Sequence, residues 1–443
     1  MIETNIEELV QTGRHFCVLP WIHFHAWPDS RVMPCCVANS TLPVSKINPG
    51  ESIVQMMNSE AYKKMRLAML NDQYVLECRR CYELEAAGTW TMRKSHNKRR
   101  GLEYVDLIKN TTELDGSLTD FKMKYMDIRF SNLCNMKCRS CGPGCSSLWS
   151  KDYIEFEGME KYQKYFNTTK FVVSNNEDMS FMSKLKPYLK DVEEVYFAGG
   201  EIIITPEHYE CMDYWIENDM ADTIELSYTT NLSVLKFKDK DLISYWKKFP
   251  KLQIWASIDA YGDVAEVMRK GTDWTRIVNN IHRIKKEVPH AQFQITPTIS
   301  IWNIFSFCQF FDYMIDEGLI DSNTAPRFNT ASHPWYANIM ILPDFIRNKL
   351  IDQYSKSMDK YSYNSEISNG FKVIIQNLKN GNASKFLIKN GDEVRLPGKS
   401  SESKEGILEF KQFNDDLDRF RQEKHTDVIP ELIEVYQWAT QKD

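Results

Sequence analysis

The sequence predicts an α/β protein: an open, partial barrel of six β/α units, preceded by a small cysteine-rich region and followed by a mostly helical extension. Two observations predict the barrel. Between residues 120 and 345, short β-rich runs alternate with amphipathic helical stretches, and that alternation builds βαβ units around a parallel sheet. Six repeats also suit an open barrel better than a closed eight-fold one. A third observation, cysteines gathered in two close-spaced groups, sets the N-terminal region apart.

The expected strands are 125–130, 194–198, 223–228, 253–258, 292–299 and 326–330, with helices at 206–218, 274–286 and 304–317 between them. Three regions follow. Residues 1–110 hold five cysteines and a basic run, Arg93 to Arg100, read as a solvated linker helix. Residues 120–345 form the barrel. Residues 346–443 are polar and mostly helical, with a Gly/Ser/Lys-rich loop near 397–406 and an amphipathic stretch at 428–438.

Composition narrows the function classes. Hydrophobic residues make up 42% and charged residues 26% of 443, as in ordinary globular proteins. A net charge of −6 gives no reason to expect nucleic acid or an anionic membrane as partner. No signal-peptide pattern is present and no apolar run approaches about 18 residues, so the expected compartment is the cytoplasm. Eleven cysteines in a reducing compartment point to metal before disulfides.

Cys134, Cys138 and Cys141 read C-x3-C-x2-C directly after the first barrel strand. Three thiolates on one loop can hold three irons of a [4Fe–4S] cluster and leave the fourth iron open to an exogenous ligand. A structural zinc is the alternative, with Cys145 as fourth ligand. Strand C-termini are where ligands collect in parallel α/β folds. Further features sit at successive strand ends: Gly199-Gly200-Glu201 after the second, a turn ending at Asn231 after the third, and Ser257-Ile258-Asp259 after the fourth, with Arg269 a short way downstream.

Together these motifs resemble the radical S-adenosylmethionine (SAM) superfamily, over residues 120–340. The resemblance implies a SAM-binding [4Fe–4S] cluster on Cys134, Cys138 and Cys141. It implies SAM contacts at Gly199, Gly200, Glu201, Asn231, Ser257, Asp259 and Arg269. Members often carry an aromatic residue just before the third cysteine; here it is Ser140.

Cys17, Cys35, Cys78 and Cys81 form the second group, the last two as C-x2-C. Four separated thiolates can close a zinc site or hold a cluster. The text CVLPWIHFHAWPDSRVMPCC is similar to the twitch or SPASM auxiliary-cluster domains of the same superfamily, which implies a second [4Fe–4S] cluster, here N-terminal to the barrel. Cys36 rivals Cys35, and adjacent strand residues point oppositely, so one of the pair should serve.

Other residues are weighed against packing. His15, His23 and His25 lie near the second group, with His23 and His25 on one strand face; core or surface packing is the expectation for all three. Cys211 and Cys308 read as core thiols. His333 and Tyr336 follow the last expected strand and are candidates to face substrate.

The resemblance implies an enzyme that cleaves SAM reductively and abstracts hydrogen from substrate, with a flavodoxin or ferredoxin as electron donor. A net oxidation or remodelling of a small molecule is the expected reaction, since no extra segment of about 80 residues stands out for leader-peptide recognition. Peptide or protein side-chain modification is the alternative, and a non-catalytic zinc-binding protein the remote one.

Overall fold

The computed structural model describes residues 4–86, 90–166, 168–176, 180–323, 326–332, 334–380, 386–389, 392–395 and 400–441. Eight strands make the main sheet: β1 (His23–Ala26), β2 (Arg31–Met33), β3 (Ser45–Lys46), β4 (Tyr125–Ile128), β5 (Glu194–Phe197), β6 (Glu225–Thr230), β7 (Leu252–Ala256) and β8 (Gln292–Ile295). Their order is β8-β7-β6-β5-β4-β1-β2-β3. β1 runs parallel to β4, with His23 opposite Tyr125 and His25 opposite Asp127. β4 is parallel to β5 and β7 to β8, while β2 and β3 extend the edge antiparallel. The architecture is the expected α/β one, an open and largely parallel sheet with helices in the crossovers. Helices Pro206–Glu217, Trp274–Glu287 and Phe307–Asp316 lie within a few residues of their expected bounds.

Four expectations are corrected. The expected strand 292–299 breaks at Pro297, which has no N–H to give a ladder. Beyond it, Thr298–Ile299 pairs in parallel with Asn329–Thr330 in a separate ribbon, so the expected strand 326–330 does not join the main sheet. The basic run is no solvated linker: in helix Met92–Arg100, Arg93, His96 and Asn97 are buried. Asn97 Nδ2 donates to the Phe16 carbonyl at 2.9 Å, and Val18 N–H donates to Asn97 Oδ1 at 3.0 Å. Near 397–406, residues from Ser400 onward begin the long helix Ser400–Arg421. There Gly406 admits close packing, since a Cβ would stand 2.9 Å from both Trp335 and Ile341 side chains. The other described C-terminal helices are Asp344–Lys360, Ser365–Lys379, the short His425–Val428 and Glu431–Thr440, and the hairpin Phe386–Lys389 with Asp392–Arg395 interrupts them.

The chain divides into two compact units, residues 1–133, 172–227 and 248–252, and residues 134–171, 228–247 and 253–443. In the first, Trp21, Phe24, Met126, Phe197 and Trp215 are fully buried. In the second, Phe307, Phe311, Phe328 and Phe371 form a mostly edge-to-face cluster with centroids 5.3–6.4 Å apart. Among the described residues no helix is long and apolar enough to cross a membrane.

Candidate functional site

The C-x3-C-x2-C loop lies in the second unit, and its backbone carbonyls are bound by side chains from the segment that follows. Ser146 Oγ donates to the Met136 carbonyl at 2.5 Å, and Trp149 Nε1 to the Cys138 carbonyl at 2.6 Å. Cys134 N–H points at Ser147 Oγ, 3.5 Å away. Lys137–Cys138 forms a short antiparallel ribbon with Arg269–Lys270, placing Arg269 opposite Cys138. Gly271 lets the chain pass, with φ +106° and an added Cβ only 2.9 Å from the Asn135 carbonyl oxygen.

That ribbon brings the Arg269 guanidinium to the thiols. Nη1 stands 3.7 Å from Cys138 Sγ, while Nε and Nη2 lie 2.8 and 2.7 Å from Asp259 Oδ2. Burial opposes the charge on Arg269, but Asp259 first, then Cys138 and Cys141, raise its pKa overall. A hydrogen bond from Cys141 and then the Arg269 charge lower the Cys138 thiol against its burial, and Cys141 moves up in exchange. Asp259 is itself held, since its Oδ1 accepts from Thr298 N–H at 2.8 Å. Asn231 bridges to the cysteine loop, donating to Asn135 Oδ1 at 3.0 Å and accepting from Ser233 N–H at 2.9 Å. Met136, Asn231, Ser257, Asp259, Arg269 and Trp274 line one open cleft. The structure thus gathers four of the expected SAM contacts beside the cysteine loop. Cys145 is exposed and adds to the negative field on Cys141.

In the first unit, Gly199-Gly200-Glu201 follows β5. Gly199 has φ +97° and Gly200 φ +25°; a Cβ on Gly200 would lie 2.2 Å from the Leu133 carbonyl oxygen. Glu201 is buried, its N–H donates to that same carbonyl at 2.7 Å, and its Oε1 accepts from Ile203 N–H at 3.3 Å. Gly200 is therefore demanded by the close approach of two backbones and Gly199 by its positive φ, and Glu201 caps a helical turn.

The second cysteine group also converges, within the first unit. Cys17, Cys35, Cys78 and Cys81 line one small pocket with Leu19 and Arg93. C-x2-C places Cys78 and Cys81 on one side of a helical start, where residues three apart are neighbours. Burial pushes the Cys17 thiol up to about 12, and burial also raises Cys35, Cys78 and Cys81. Cys36 is not among the lining residues; its Sγ lies 3.6 Å from Met92 Sδ. Arg93 supports the pocket wall, donating from Nη1 to the Phe16 carbonyl at 2.8 Å and from Nε to Glu85 Oε1 at 2.9 Å.

Two features escaped sequence reasoning. Arg139, inside the cysteine motif, is fully buried and anchors the loop to the C-terminal segment: Nη1 donates to Asn414 Oδ1 at 2.8 Å, and Nη2 reaches Asp418 at 2.5 Å and Glu423 at 2.7 Å. Asp127 was likewise missed; it lies against His25, whose Nδ1 is 3.1 Å from Oδ2. No sequence signal joins residues so far apart. Cys211 and Cys308 are buried as expected. His23 and His25 are fully buried, whereas His15 is half-exposed, its Nδ1 2.7 Å from the Asp72 carbonyl oxygen. Tyr336 packs on Phe413 at 5.3 Å, and His333 lies outside the described residues.

No family model matches the chain, and no curated protein is similar in sequence. Among solved structures, it is similar to anSMEcpe with bound AdoMet, at 16% identity and a TM-score of 0.35, over 54% of this chain and 60% of that one. Streptococcus suis SuiB bound to precursor peptide SuiA is 13% identical at a TM-score of 0.34, over 64% and 58%. TYW1 with a lysine-pyruvate adduct is 14% identical at a TM-score of 0.28, over 62% and 78%. The chain thus spans about three-fifths of the length of the first of these.

Proposed function

We propose that this chain is a radical SAM enzyme. The observation that carries the reading is the Asp259–Arg269 pair, which holds a guanidinium 3.7 Å from Cys138 Sγ and lines one cleft with Asn231 and Ser257. The donor set fits the group it would hold: soft thiolates suit iron–sulfur clusters, and a fixed cation beside them stabilises the deprotonated form. Cys134, Cys138 and Cys141 would hold a [4Fe–4S] cluster. Gly199, Gly200, Glu201, Asn231, Ser257, Asp259 and Arg269 would form the SAM site. When bound, such a cluster supplies the electron that cleaves SAM to methionine and a 5′-deoxyadenosyl radical, which takes hydrogen from substrate.

The chain's own residues then have plain tasks. Arg269 and Ser257 orient the anionic and hydroxyl parts of SAM, Asp259 fixes Arg269, Asn231 ties the cleft to the cysteine loop through Asn135, and Met136 and Trp274 line the cleft wall. In the first unit, Cys17, Cys35, Cys78 and Cys81 offer four thiols in one pocket, a donor set that fits a second [4Fe–4S] cluster. On this reading residues 1–110 are an auxiliary-cluster domain, 120–345 the radical SAM barrel and 346–443 a helical extension, in a cytoplasmic enzyme reduced by flavodoxin or ferredoxin. The reaction is a net oxidation or remodelling of a small molecule, with peptide side-chain modification as the alternative substrate class.

The test is anaerobic reconstitution with iron and sulfide, followed by reductant and SAM. The expected product is 5′-deoxyadenosine, absent when Cys134, Cys138 and Cys141 are changed together to Ala. A reconstituted chain that takes up zinc but no iron, or that holds iron and never cleaves SAM, overturns the reading.

A further inference from the structure

β1 carries His23-Phe24-His25, and residues two apart on a strand project from one face. Both imidazoles are fully buried, as is Asp127 on the neighbouring β4. The rings lie 6.0 Å apart with planes 15° from parallel. The same device orients each ring: His23 Nδ1 donates to the Tyr125 carbonyl oxygen at 3.0 Å, and His25 Nδ1 to the Asp127 carbonyl oxygen at 2.8 Å. A carbonyl oxygen only accepts, so both Nδ1 atoms carry the proton and both Nε2 atoms present lone pairs.

Those lone pairs have no donor to meet. Neither Nε2 atom has a hydrogen-bond partner, while the Asp127 carboxylate has His25 Nδ1 3.1 Å from Oδ2 and the Cys36 thiol beside it. The nearest cationic side chain to Asp127 is Arg129, whose Nε stands 3.7 Å from Oδ1. Buried acceptors without donors are unfavourable unless a cation satisfies them. Donor atoms of His23, His25 and Asp127 lie within 4.8 Å of one another. Imidazoles fixed through their second nitrogen to a carbonyl oxygen are the arrangement that positions metal-bound histidines. Two imidazoles and one carboxylate suit a first-row divalent transition metal and not the iron of a thiolate cluster.

We propose that His23, His25 and Asp127 form a buried site for a divalent first-row transition metal, distinct from both cysteine groups. The three ligands offer nitrogen and oxygen, with the Cys36 thiol against Asp127 outside the set, so the site can be told from the four-thiolate pocket by spectroscopy. Zinc is the probe, because it is redox-silent and takes this donor set. The site stands independently of SAM chemistry.

The experiment uses the full chain, reconstituted anaerobically with iron and sulfide, given a small excess of zinc and desalted. The expected result is close to one retained zinc per chain, with a zinc-edge absorption spectrum dominated by nitrogen and oxygen at about 2.0–2.1 Å. His23→Gln and Asp127→Asn should each weaken that zinc at least about tenfold, while iron content stays at the wild-type level. Zinc bound equally well by both variants overturns the proposal, as does a wild-type chain that retains none or only zinc in a sulfur shell near about 2.3 Å. Where a variant does not fold, the wild-type spectrum decides alone. Failure of the cluster reading looks different, as a chain without iron.

Discussion

Arg269 makes three contacts that define its position, two to Asp259 and one to the Cys138 sulfur. A guanidinium held this way cannot swing to solvent, and its charge is kept by the carboxylate that fixes it. Asp259 is thus a positioning residue, and its removal should be felt through Arg269. Arg269→Ala and Glu201→Ala should each weaken SAM binding by about 1.5–3 kcal/mol, the range of hydrogen bonds to charged groups. Asp259→Asn keeps the shape and should weaken SAM by a smaller amount in the same direction. Equilibrium binding to the anaerobic chain measures all three; unaltered affinity in Arg269→Ala and Glu201→Ala together would put SAM elsewhere.

At the scale of elements, the cysteine loop is clamped by a distant helix. Helix Ser400–Arg421 brings Asn414 and Asp418 to Arg139, and Glu423 follows just beyond its end. The same helix sends Arg421 to Asp152, which also pairs with Lys137 at 2.9 Å. His425 N–H donates to Asp418 Oδ2 at 2.8 Å, so the carboxylate is shared between the loop and the turn after the helix. Arg139→Met should destabilise the chain by about 3 kcal/mol, since it takes the guanidinium from the buried Asp418 carboxylate, while Glu423 keeps Lys270. Denaturant unfolding reads that loss. Reconstituted iron should fall with it, because the loop that carries Cys138 and Cys141 loses its anchor.

For the whole molecule the measurable quantity is metal. Two four-iron clusters would give about eight irons per chain, and Cys78→Ala with Cys81→Ala should reduce this by about half. If the second cluster accepts the substrate electron, that double variant still forms 5′-deoxyadenosine but does not complete product. A folded double variant that makes product at the wild-type rate excludes the acceptor role. Proteolysis and circular dichroism must be read beside it, because metal binding in such regions is coupled to folding.

What could be read from the sequence was whatever rests on local spacing. C-x3-C-x2-C, the Gly-Gly-Glu turn and Ser257-Ile258-Asp259 are short motifs at strand ends, and the α/β alternation needs only a window of residues. Strand alternation implied that one of Cys35 and Cys36 should serve, but the strand ends at Met33 before both, and it is the tertiary structure that puts Cys35 and not Cys36 on the pocket. It decided as well that Pro297 diverts one expected strand from the sheet. β1, 102 residues from its partner, pairs with β4 and so sets His23 and His25 against Asp127. Arg139 meets partners 275 to 284 residues away. Pairings at such separations are selected by burial and by the satisfaction of polar groups across the fold, and neither leaves a trace in nearest-neighbour spacing.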